Sequence, residues 1–184
     1  MKQVNSFVEM CVKKDYISQE KAAWLQYALE KRIVTAMGFI PLLFLGLTIA
    51  PPATVVGFLA TFCLLRSRTN GYHANSIGRC LVYSMGGELI FLKVLPAILD
   101  DVIYTTILIV ASFLIWSMAP YNHPNMDLSQ EEIAACSKSA KCRLVVCFLA
   151  LSISYGWGGY HLAQGILLGI VMTAATLIMA YCIK

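Results

Sequence analysis

A histidine and a cysteine stand seven residues apart in the stretch RSRTNGYHANSIGRC, residues 66–80. A cysteine thiolate is a strong nucleophile, and an adjacent imidazole can take the thiol proton and later return it. His73 and Cys80 are therefore a candidate base and nucleophile. The stretch also holds Arg66, Arg68 and Arg79, with Gly71 and Gly78. Nearby cations and a helix N-terminus favour a thiolate, and free N–H groups there can hold an oxyanion.

The spacing sets a structural demand. On one continuous helix, residues seven apart share a face to within about 20° but are separated by about 10.5 Å along the axis. A base must lie within about 2.6–3.2 Å of the proton it removes. A His73–Cys80 pair thus needs a break between them. Asn75, Ser76 and Gly78 are poor helix formers that tolerate turns, and Gly71 adds a flexible point before His73. The expected arrangement puts His73 on an irregular segment and Cys80 near the start of a helix.

Each residue also has a plainer use. His73 could be hydrogen-bonded at a membrane interface, Cys80 could pack as a small apolar residue, and the arginines could orient the chain. Candidates for catalytic support are Asn75 or Ser76, which could orient His73, and Glu88, two turns beyond Cys80 on a similar face. An acid within an apolar segment is a functional candidate by default, although a structural hydrogen bond to a neighbouring helix would also explain Glu88. Lys93 lies about 140° round the helix from Glu88, so the two do not obviously pair. His123 and His161 fall in other links and form no metal-ligand pattern, and no cofactor is expected.

The elements that position these residues are apolar. Of 184 residues, 59% are hydrophobic and 13% charged, with a mean hydropathy of +0.70. Soluble chains are usually about 45–50% apolar and about 25% charged. The excess points to an all-α polytopic membrane protein, since lipid offers no partner for exposed backbone groups. The apolar runs do not alternate with polar residues, which argues against a β-barrel. The first 21 residues have no apolar core followed by small residues, so no cleavable signal peptide is expected.

Six apolar segments can be marked, at 33–50, 53–65, 80–99, 102–119, 143–157 and 162–183. Pro51-Pro52 must separate the first two. The second and fifth are shorter than the roughly 20 residues of a full span, so tilted or re-entrant passages are alternatives. Six basic residues precede the first segment: Lys2, Lys13, Lys14, Lys21, Lys31 and Arg32. Arg66, Arg68 and Arg79 lie between the second and third, and Lys138, Lys141 and Arg143 between the fourth and fifth. The alternate links carry none, so both termini and the 66–80 link are expected in the cytoplasm. Asp100 and Asp101 mark an outer turn, and Trp157, Tyr160 and His161 an outer interfacial belt.

Residues 1–32 are expected to be amphipathic helices at the interface, ahead of a membrane bundle at 33–184. Val4, Phe7, Val8, Cys11 and Val12 could form one apolar face, and Ser18 could cap a second helix. That region would either guide an amphipathic substrate or cap the bundle. The seven cysteines are odd in number and scattered, so no disulfide framework is expected. Gly165 and Gly169 form a G-x-x-x-G pair, a candidate surface for a homodimer.

The run RTNGYHANSIGRC between apolar segments resembles the signature of the AgrB family. Its pattern is a basic residue, then G-x-H-A, then a cysteine seven residues after the histidine. Here these are Arg66 or Arg68, Gly71, His73, Ala74 and Cys80. The stretch YISQEKAAWLQYALEKR resembles the family's charged and aromatic N-terminal region, and APYNHPN, 119–125, its Pro-rich link after the fourth span. That link often carries an acidic residue followed by lysines; here Asn122-His123-Pro124-Asn125 stands there, with lysines delayed to Lys138 and Lys141.

The resemblance implies a membrane cysteine endopeptidase that trims a propeptide, AgrD, on the way to a cyclic quorum-sensing peptide. It implies Cys80 as nucleophile and His73 as base, then acid. AgrD-like substrates generally have an amphipathic leader and an acidic tail, which Arg66, Arg68, Arg79, Lys138, Lys141 and Arg143 could hold, with Gly71 a further candidate for substrate binding. Lipid and propeptide are the implied partners, and nucleic acid is not. Two other classes stay open on the residues alone: a small transporter with Glu88, Lys93 and His73 along a polar path, and a membrane scaffold. A transporter would spread charges over several spans, whereas here only the third holds them.

Overall fold

The structure, a computed structural model, describes residues 2–14, 16–70, 77–98, 100–122 and 129–182. The described residues are helical or irregular, with no strand. Chain contacts divide it into two compact units, Met1–Leu42 and Leu43–Lys184.

In the first unit, α1 spans Lys2–Lys13. Val4 and Val8 are buried, Cys11 and Val12 half-buried, and Phe7 exposed. The apolar face is thus narrower than expected. Val4 and Val8 lie one turn apart, while Phe7 sits off that line on its flank. The helix α2, Gln19–Ile49, starts directly after Ser18 and contains Pro41. The expected amphipathic helix and first apolar segment are therefore one element, because EKRIV offers no breaker between them.

In the second unit the prolines act as predicted. α2 ends at Ile49, Pro51 occupies the N-cap position of α3, and Pro52 opens that helix (Pro52–Thr69). Asn70 closes α3 in the left-handed conformation, φ 52 and ψ 38. Asparagine tolerates that conformation better than most side chains.

α4 spans Ile77–Leu89 and passes into a π-helical turn, Ile90–Val94, and a short α5, Leu95–Ile98. Pro96 accounts for the change, since it has no N–H to return to Leu92 and its ring crowds that carbonyl. Ahead of it the ladder widens, and the Leu95 N–H reaches back five residues to the Ile90 carbonyl.

α6, Asp101–Met118, is capped by Asp100, whose carboxylate accepts from the Ile103 N–H at 2.9 Å. α7, Gln130–Gly156, starts thirteen residues before the expected fifth segment and carries Lys138 and Lys141 on its surface rather than in a link. Its start is a capping box: the Ser129 N–H donates to Glu132 Oε2 at 2.9 Å, and the Glu132 N–H donates to Ser129 Oγ at 3.3 Å. A tight turn with Gly158 at φ 77 leads to α8, Tyr160–Cys182.

The Ser129 backbone donor, and then its side chain, hold the Glu132 carboxyl below the usual carboxylate range. Its contribution to α7 is thus fully present above that range and is lost as pH falls through the lowered value. Ser129→Ala is expected to speed amide exchange in the first turn of α7 roughly fivefold at neutral pH. The same turn in the wild type should loosen on acidification, and hydrogen-exchange mass spectrometry reads both.

α8 is the centre of the bundle and packs against α3, α6 and α7. Phe58 and Leu65 of α3, Ile115 of α6, and Leu168, Ile170 and Leu177 of α8 are fully buried. Three glycines let α3 and α8 approach. A Cβ on Gly165 would strike the Thr54 carbonyl, one on Gly169 would come within 2.8 Å of the Phe58 carbonyl, and one on Gly57 within 2.7 Å of the Leu162 carbonyl. The Gly165 and Gly169 pair is therefore occupied by this chain's own α3, and the homodimer expectation loses that support.

The outer surface is apolar. Val102, Ile109 and Phe113 of α6 and Leu149 and Ile153 of α7 are all more than half exposed. Among the described residues, two helical stretches are long and apolar enough to cross a membrane, Leu81–Ile98 and Tyr160–Cys182. Shorter apolar helices occupy Gly38–Ile49 and Val102–Met118. Trp157 and Tyr160 are exposed at the turn between α7 and α8, and Tyr160 meets Tyr155 edge to face at 5.3 Å.

Candidate active site

The candidate site runs from the end of α3 to the start of α4. Gly71, His73, Asn75 and Ser76 lie outside the described residues, as does His123. The description places what flanks them. Cys80 is the fourth residue of α4, whose first residue is Ile77. α3 and α4 are separate helices, with Asn70 turning the chain away from α3. Arg66 and Arg68 lie in the last turn of α3, and Arg79 is exposed in the first turn of α4.

The end of α3 is held from two directions. From α7, Arg143 Nη1 donates to the Leu64 carbonyl at 2.7 Å and to Ser67 Oγ at 2.5 Å. The Ser67 hydroxyl donates in turn to the same Leu64 carbonyl at 2.9 Å. From the segment after α6, the Tyr121 N–H donates to the carbonyl of Thr69, the last residue of α3, at 2.9 Å. Tyr121 is backed by Tyr181 of α8, edge to face at 4.8 Å, whose hydroxyl donates to the Met118 carbonyl at 3.0 Å. Residue spacing gives no sign of these contacts, because each joins positions far apart in the chain.

The basic residues thus divide. Arg143, grouped in the sequence with the other inward charges, is committed to α3. Lys141 holds its ammonium 5.2 Å above the Trp116 ring, and Lys138 is exposed one turn earlier.

Glu88 is fully buried. Its Oε1 lies close against Gly46, where a Cβ would come within 2.7 Å of it and 2.6 Å of Val55 Cγ1. Both carboxyl oxygens lack a hydrogen-bond partner among the described residues. The expected structural hydrogen bond is thus not found there. Glu88 is also about 12 Å along the helix axis from Cys80. Lys93 is exposed on the π-helical turn.

Among the described residues, an all-helical bundle with many apolar side chains outside and two membrane-length apolar helices suggests a membrane-associated protein. Within that class the match is specific: the AgrB family, described as Accessory gene regulator B, covers residues 4–178, nearly the whole chain. The chain belongs to the AgrB family. That family is membrane-associated and involved in processing the agr quorum-sensing propeptide. No curated protein and no solved structure matches the chain.

Proposed function

We propose that the chain is an integral-membrane cysteine endopeptidase that removes the C-terminal tail of an AgrD-like propeptide, with Cys80 as nucleophile and His73 as base. The observation that carries this reading is the family match over residues 4–178 in a chain whose His73 and Cys80 stand at the family's spacing. Supporting it, Cys80 lies in the first turn of α4, among the N–H groups that a helix leaves without internal partners. Those groups and Arg79 favour a thiolate and the oxyanion that forms when it attacks.

His73 takes the Cys80 proton, and the sulfur attacks the carbonyl carbon of the scissile bond. The carbon–nitrogen bond breaks, His73 returns the proton to the leaving amine, and the tail departs. The remaining peptide stays as an acyl-thioester on Cys80. A thiol or hydroxyl of the peptide itself then gives its proton to His73 and attacks the thioester carbon; the carbon–sulfur bond to Cys80 breaks, the departing sulfur takes that proton, and a thiolactone or lactone closes. Excluding water protects the thioester, and holding both reacting ends in one site makes the closure intramolecular.

In this reading all six apolar segments enter the membrane, with both termini and the 66–80 link cytoplasmic and residues 1–32 at the interface. Arg66, Arg68, Arg79, Lys138 and Lys141 form the cationic ground for an acidic tail, near Gly71. Asn75 and Ser76 are the candidates to orient His73, and Glu88, two turns further along α4, is the remaining candidate for catalytic support. The partners are the propeptide and the bilayer.

The test uses proteoliposomes and the propeptide encoded beside this gene. Acid quenching at early times should yield the protein with the mass of the N-terminal fragment attached, and hydroxylamine should release it. Tail release without any hydroxylamine-sensitive adduct at Cys80 would sink the acyl-thioester mechanism.

A further inference from the structure

We propose that Arg143 is a positioning residue for the link that carries His73, acting through the C-terminal turn of α3. The inference rests on the reading of His73 and Cys80 as base and nucleophile. It begins from a side chain that sequence assigns to orientation or to the substrate tail. In the structure its Nη1 instead donates to two acceptors on α3, the Leu64 carbonyl at 2.7 Å and Ser67 Oγ at 2.5 Å. Ser67 closes the triangle by donating to Leu64 at 2.9 Å. Ser67 lies in the last turn of α3, where the helix dipole favours a cation, and Leu64 lies one turn before it. A planar guanidinium can serve two acceptors at once, which an ammonium does less well.

The platform behind Arg143 is firm. Ala140, Leu144 and Cys147 of α7 are buried, so the helix face beside Arg143 is packed. The second tie, from the Tyr121 N–H to the Thr69 carbonyl at 2.9 Å, holds the residue directly before Asn70. Thr69 is itself fully buried. Asn70 closes α3 in the left-handed conformation, and His73 follows three residues later in the sequence. The path from α3 to α4 is short, so fixing its first residue removes much of the freedom open to His73. α7 thereby contributes to the geometry of a site from which it is remote in sequence.

The alternative role, contact with an acidic substrate tail, predicts different kinetics. The experiment measures kcat and KM for tail release in proteoliposomes, using the propeptide encoded beside this gene and a version with its tail Asp and Glu changed to Asn and Gln. Arg143→Met should lower kcat by on the order of tenfold or more with KM changed less than about twofold, equally on both substrates. Arg143→Lys should recover part of the loss. Ser67→Ala, which removes one acceptor and leaves the charge, should lower kcat in the same direction by less. A raised KM with unchanged kcat, disappearing on the neutral tail, would overturn the proposal in favour of tail binding. Wild-type kcat in both Arg143→Lys and Ser67→Ala would overturn it even if Arg143→Met fails to fold. Wild-type cleavage by His73→Ala would remove the underlying reading, whereas an inactive His73→Ala beside fully active clamp variants removes the clamp alone.

Discussion

Replacing Cys80 with alanine is expected to end tail release, with a loss of about a thousandfold or more when propeptide and protein are co-expressed and read by mass spectrometry. His73→Ala should fall by about a hundred- to ten-thousandfold, the range for a removed general acid–base group. Residues that act as a unit are not additive, so the double variant should be little worse than Cys80→Ala alone. Cys63, exposed on α3, supplies a control: Cys63→Ala should leave cleavage unchanged. Cys147→Ala should also cleave, since that thiol is buried in the core shared by α3, α6, α7 and α8 and is remote in sequence from the link. Undiminished tail release by both Cys80→Ala and His73→Ala would rule out the protease reading.

The second large effect is on the fold. Gly165→Leu should destabilise the bundle by about 3 kcal/mol or more, the upper part of the overpacking range, because everything a side chain meets there is backbone. A Cβ alone would strike the Thr54 carbonyl and come within 2.9 Å of the Phe58 nitrogen. In lipid the hydrophobic drive between helices is absent, so close packing carries more of the association. Moving α8 away from α3 therefore loses contacts that water exclusion does not replace. Gly86→Ala on α4 is the matched control, since nothing lies within 4 Å of its Cβ position, and alanine should be neutral or slightly stabilising. Thermal unfolding in detergent, followed by circular dichroism, checks both. Equal melting temperatures for Gly165→Leu and wild type would show that α3 and α8 do not depend on this approach.

Much of the architecture was legible because it is local. The Pro51-Pro52 pair ends one helix and starts the next, and Asp100, at the expected turn, caps α6 by accepting the Ile103 N–H on its side-chain carboxylate. The apolar content announced helices and an apolar exterior. The extent of α7 was harder, because Lys138, Lys141 and Arg143 read as a charged link by hydropathy. Charge does not stop a helix, and the S-x-x-E spacing of Ser129 and Glu132 is the signal that marks the true start. The joined α2 has the same origin, since a change of polarity along a chain is not a change of element. The Gly165 and Gly169 pair shows the limit of motif reading, since the motif specifies close approach but not the partner. At the candidate site, the His73 and Cys80 pair is visible in sequence because it is a spacing. The hold on α3 by Arg143 and Tyr121 is not, because it depends on which helices become neighbours.

Glu88 carries a consequence for how the chain is made. A carboxyl left facing lipid near the middle of a bilayer costs about 2.5–3.5 kcal/mol even on scales that allow for local adjustment. Gly46 and Val55, which lie against it, both precede it in the chain. Part of the surface that shelters the acid has therefore already left the ribosome when α4 emerges. Met172 of α8, which lies against the neighbouring Gly87, is synthesised last, so the shelter is built from both sides of α4 in the chain.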